Sequence, residues 1–191
     1  QKQKDMKNKH NIIETTTVKN NYGRDITRKK IKDEFFKDSN IISEAQSKLA
    51  SQEDNDCVVR AFMMTLGLTY EKAHKFVETK FKRKAGKGTY TKLYLDNILN
   101  RQKNGYKMRL MGYHPTYSYG VKLKKLVNPT YKKETGYTVK SFMEQHQVGR
   151  YFIIVKGHAL ALVDGVLYGN SHEQYNGFRR TIHYVIQCKT I

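Results

Sequence analysis

The stretch from Asn55 to Gly67, Asn-Asp-Cys-Val-Val-Arg-Ala-Phe-Met-Met-Thr-Leu-Gly, leaves the chain little freedom in how it folds. Asn55 or Asp56 can accept a backbone N–H of a first helical turn, and Gly67 is the residue that most readily ends one. Between them lie about three turns of helix, apolar nearly all round and interrupted only by Arg60 and Thr65. A helix without a polar face belongs in the centre of its domain. Cys57 enters that helix at its positive end, a position that lowers a thiol pKa and favours the nucleophilic thiolate. The competing reading is a small buried hydrophobe, the commonest fate of a free cysteine.

A second constellation lies about a hundred residues on, in Gly149-Arg150-Tyr151-Phe152-Ile153-Ile154-Val155-Lys156-Gly157-His158-Ala159 and the segment that follows. Two strand-like runs flank Lys156-Gly157, with His158 opening the second. Asp164-Gly165 marks a tight hairpin turn into Val166–Tyr168, and Asn170 follows. Asn-Asp-Cys entering an apolar helix, then Gly-Arg-Tyr-Phe-Ile-Ile-Val-x-Gly-His-Ala, then Val-Asp-Gly-Val-Leu-Tyr-x-Asn, together resemble the papain-like cysteine peptidase superfamily in its small bacteriophage form. The resemblance spans roughly 52–187, with clear motifs at its two ends only.

The resemblance implies Cys57 as nucleophile, His158 as general base, and Asn170, or alternatively Asp164, as the group that orients the imidazole. It implies an oxyanion hole made by the Cys57 backbone N–H and one side-chain amide, with Gln52 and Asn55 as the two candidates. No cofactor is needed for such chemistry. Asp54 and Asp56 depart from the pattern, because carboxylates beside the nucleophile raise a thiol pKa and oppose the helix dipole. A plainer role for Asp56 is to cap the helix.

Composition narrows the setting. With 191 residues the chain can bury one proper core and carry a tail, and Cys57 and Cys188 form neither a disulfide framework nor a metal-ligand spacing. No apolar run approaches the roughly 20 residues that span a bilayer, and no membrane association is expected. The start is polar and lysine-rich, without a signal-peptide pattern, so the expected location is the host cytoplasm or a virion. The formal charge is +19, and 72–133 carry 17 basic against 2 acidic side chains. Interleaved tyrosines there suit stacking, so nucleic acid or another polyanion is an expected partner of that region beside a peptide or protein substrate.

In chain order, 1–45 read as a basic tail, flexible to about residue 21, with a short amphipathic helix over 25–38 from Ile31, Phe35 and Phe36. A propeptide crossing the cleft is the alternative for this segment. Residues 46–191 form the domain. Helices are expected near 41–49, 70–81, 89–99 and 138–146, strands at 106–113 and 178–187, and long loops at 82–88 and 114–133. His74 and His146 read as satisfied or helix-end histidines, and Cys188 as inert. The fold class is α+β, with helices first and a small antiparallel sheet bearing His158. Three functions fit: a cysteine peptidase cutting a peptide or isopeptide bond, an acyltransferase or amidase using the same residues, or a non-enzymatic basic virion or nucleic-acid-binding protein.

Overall fold

A computed structural model describes residues 11–89, 107–113 and 136–189. The chain enters as an antiparallel hairpin, β1 (Ile13–Lys19) and β2 (Asp25–Ile31), where a flexible segment and a helix were expected. The β-branched Ile13, Thr15, Thr16, Thr17 and Val18 of β1 and Ile26, Thr27 and Ile31 of β2 favour extended backbone, and Gly23 turns the chain at φ +72°. The spacing of Ile31, Phe35 and Phe36 fits a helix as well. The strand wins because Ile12 and Ile31 at the hairpin base are fully buried against the rest of the core. A 3-10 turn, Asp33–Phe35, leads into β3 (Phe36–Asp38).

Asp38 then caps α1 (Ser39–Gln46), and Ser47 caps α2 (Lys48–Gln52). The buried helix is α3 (Cys57–Leu66), which stops at Gly67 (φ 66°, ψ 38°), where the Leu68 N–H returns to the Met63 carbonyl at 3.0 Å. Thr69 caps α4 (Tyr70–Phe81). After β4 (Lys107–Tyr113), a capping box of Thr138 and Ser141 starts α5 (Val139–Gln145). There follow β5 (Arg150–Val155), β6 (His158–Val163), β7 (Val166–Gly169), α6 (Ser171–Tyr175) and β8 (Ile182–Lys189). All but the first residue of the helix expected over 89–99, and the whole loop over 114–133, lie outside the described residues, as does most of the basic region 72–133.

Six strands make one sheet in the order β3-β7-β6-β5-β8-β4, antiparallel except for β3, which runs parallel to β7. The segment 36–38, read from sequence as tail, is therefore an edge strand of the central sheet. The class is α+β.

Strands β5 and β6 are apolar on both faces because both are covered. On one face Phe62 of α3 stacks on Phe152 at 4.2 Å, with Phe76 and Phe81 of α4 around it. On the other, Ile153, Leu160 and Val185 pack with Phe142 and Met143 of α5 and with the hairpin base. Each such side chain contributes about 1.5–3 kcal/mol by leaving water, which is what holds α3 in the middle layer despite its lack of a polar face. The free carbonyls at its C-terminus are met by Arg150 of β5, whose Nε reaches Thr65 O at 2.6 Å and whose NH2 reaches Met64 O at 2.7 Å. Among the described residues no helix is long and apolar enough to cross a membrane.

Candidate active site

Cys57 is the first residue of α3, and the turn before it is held from below. Asp56 occupies the cap position yet makes no capping bond. Its carboxylate instead accepts both contacts of the Arg60 Nε at 2.8 Å and the Tyr70 hydroxyl at 2.6 Å, all buried. Arg60, the polar interruption in an apolar helix, extends this to Ser43 Oγ, Glu44 and the Ala50 carbonyl. One guanidinium thus ties α1, α2 and α3 together beneath the cysteine.

His158 reaches the same place from the sheet. Lys156 and Gly157 (φ +70°) turn β5 into β6, so His158 begins β6 where that strand passes the start of α3. Cys57 and His158 line one cavity of about 380 Å³, together with Ser39, Asn40, Asn55 and Asn170. The backbone N–H of Ala159, the residue after the histidine, favours the thiolate form of Cys57. Sequence separation of a hundred residues is closed by packing α3 on β5 and β6.

The electrostatics differ from the expectation at the thiol. Burial pushes the Cys57 thiol above its ordinary range, and Asp56 adds to this; the N–H groups of Ala159, Val58 and Cys57 itself act against it without prevailing. Helix position alone therefore does not yield a resting thiolate. Burial also pushes the His158 imidazole below its ordinary value, with Glu173 pulling it up and Arg180 and His172 pushing it further down. Both directions favour the uncharged forms of the two groups that share this cavity. Cys188, buried at the far end of β8, is pushed up to about 12, in keeping with an inert thiol.

No family model, curated protein or solved structure matches this chain. The chemistry of the cavity carries the functional reading.

The group facing the imidazole is a residue the sequence reading passed over. Glu173 Oε1 lies 3.8 Å from His158 Nε2, ion-pair range rather than hydrogen-bond range, and the carboxylate is almost wholly buried. Arg180 holds the same oxygen at 2.7 Å and also donates to the Lys156 carbonyl. Gly169 and Gly177 make room for this carboxylate, since a methyl at Gly177 would overlap Glu173 Oε2. Asn170 lines the cavity, but its side-chain oxygen caps α6 by accepting the Glu173 N–H at 3.3 Å. The signal was present: Asn170-x-x-Glu173 is the spacing of a helix start, which commits Asn170 to the backbone.

The other candidates separate clearly. Asp164 sits in the β6–β7 turn, at the opposite end of β6 from His158, where it accepts the Gly149 N–H at 2.9 Å. It cannot orient that imidazole. Gln52 ends α2 exposed and does not line the cavity, so the amide expected from it is not at the sulfur. Asn55 does line it, because its left-handed backbone (φ +55°) swings the 53–56 turn toward α3. Its Nδ2 donates to the Gly86 carbonyl at 3.3 Å.

That contact belongs to a latch on the 82–88 loop. Glu53 accepts from Arg83 at 2.7 Å and from the Gly86 N–H at 3.0 Å, and faces His74 at 3.3 Å. Burial opposes its ionisation, but the Gly86 N–H, Arg83 and His74 outweigh burial and hold its carboxyl below the ordinary value. The latch carries Gly88 and Thr89 to the cavity wall. His74 is accordingly a satisfied histidine. His146 faces the Phe142 carbonyl at 3.0 Å and stacks on the Phe142 ring, and its burial pushes its pKa down.

Proposed function

We propose that this protein is a papain-like thiol hydrolase that cleaves a peptide or isopeptide bond, with Cys57 as nucleophile and His158 as general base. One observation carries this: a cysteine at the mouth of a buried helix and a histidine at the start of a sheet strand open onto one cavity.

With the thiol pushed up and the imidazole pushed down, proton transfer accompanies attack. His158 takes the thiol proton as sulfur attacks the carbonyl carbon, so a carbon–sulfur bond forms while the imidazole becomes imidazolium. The Cys57 N–H at the helix start and the remaining Asn55 amide hydrogen are the available donors for the developing oxyanion. The imidazolium then gives its proton to the leaving amine, and water, deprotonated by His158, releases the acid from the thioester. Glu173 is the positioning residue: its buried carboxylate offsets the charge that the imidazole gains in each half-reaction.

The test is alkylation by limiting iodoacetamide followed by peptide mass mapping. Cys57 should react well ahead of Cys188, and His158→Ala should slow Cys57 by at least about tenfold. Equal rates for Cys57 in the native and His158→Ala proteins would remove the hydrolase reading.

A further inference from the structure

At the far end of α6 from the imidazole lies a second concave region that the hydrolase chemistry does not use. Two cavities, of about 540 and 460 Å³, adjoin across Lys29 of β2 and Arg179 of the 3-10 turn before β8, which line both. Lys140 of α5 extends the first, while Arg28, Tyr175 and Asn176 extend the second. Among the described residues no carboxylate lines either cavity.

Among the described residues, Arg28, Lys29 and Arg179 have no ion-pair partner, whereas the neighbouring Lys30 is engaged by Glu14 and Asp33 and Lys140 by Glu144. Three cations that no described carboxylate neutralises repel one another around a concave surface unless an anion joins them. The Arg179 guanidinium carbon lies over the Phe178 ring, 5.4 Å from its centroid, and both residues line the first cavity.

We propose that this groove binds the phosphodiester backbone of single-stranded nucleic acid. Guanidinium forks of Arg28 and Arg179 suit bidentate contact with phosphate oxygens. The half-buried Tyr175 ring and the Arg179 plane offer stacking faces for bases, which an acidic polypeptide would leave unused. The site lies on the hairpin and α6, outside the lysine-rich region 72–133, and it is independent of Cys57.

The experiment is fluorescence anisotropy of a labelled oligothymidylate of about 20 nucleotides with the full chain, titrated at several salt concentrations. The variant R28Q/K29Q/R179Q is compared with K48Q/K72Q/K84Q, which removes the same charge from exposed positions of other elements. Loss of at least about tenfold in affinity for the groove variant, a salt slope smaller by about 2, and near-native binding by the control support the site. Equal losses in the two variants would mean diffuse attraction and overturn it. So would no binding at low salt, or competition by polyglutamate as effective as that by unlabelled oligonucleotide.

Discussion

Replacing Glu173 by Gln isolates a charge without altering a shape. The amide keeps an oxygen for Arg180, which the carboxylate now holds at 2.7 Å, but removes the negative charge 3.8 Å from His158 Nε2. Unit charges at that separation interact by about 4 kcal/mol in the effective dielectric of a partly buried pair. Solvent reaches Arg180, whose side chain is 30% exposed, and screens part of this. A fall of about 1–2 units in the imidazole pKa is what remains, since one unit corresponds to about 1.4 kcal/mol.

The sign follows from the groups around the ring. Burial, Arg180 and His172 already disfavour imidazolium, and Glu173 alone opposes them. Without it, the imidazole stays neutral to lower pH but becomes a weaker base and accepts the thiol proton less readily. The acidic limb of the Cys57 alkylation profile should therefore move down by about 1–2 units, and the plateau rate should fall. Asn170→Ala should leave that limb in place and cost about 1 kcal/mol of stability, as loss of a helix cap does. A limb that moves with Asn170→Ala and stays still with Glu173→Gln would refute the assignment of Glu173 and restore Asn170 as the orienting group.

Two further outcomes are expected. Because the Glu53 carboxyl is held below its ordinary 4.5, its contribution to stability is complete above that value and is lost as pH falls through the folded pKa; urea titrations below about pH 4.5 should show a steeper loss for the native protein than for Glu53→Gln, and parallel curves would dismiss the latch. Arg60→Ala leaves the Asp56 carboxylate buried without its cation and should cost about 3–5 kcal/mol in chemical denaturation, whereas a loss below about 1 kcal/mol would mean the network beneath Cys57 is not structural.

Much of this molecule could be read from one dimension, because the signals involved are local. The apolar run after Cys57 has one burial solution, Gly67 and Thr69 mark where one helix stops and the next begins, and Lys156-Gly157 and Asp164-Gly165 fold three consecutive strands onto each other. These forces act within a few residues and leave periodic traces, so the helix that starts at Cys57 and the strand that starts at His158 could be placed before any coordinates. Tertiary structure alone decided the rest. Ile31 and Phe36 read as one helix face until β1 and β7 offered strand edges, for β structure draws its stability from partners remote in sequence. Asp56 has the form of a cap, yet Arg60 and Tyr70, converging on it inside the core, outbid the backbone for its oxygens. The thiol's raised pKa and the carboxylate facing His158 likewise depend on what is buried beside them. Desolvation and Coulomb forces are set by three-dimensional neighbours, and no spacing in the chain encodes them.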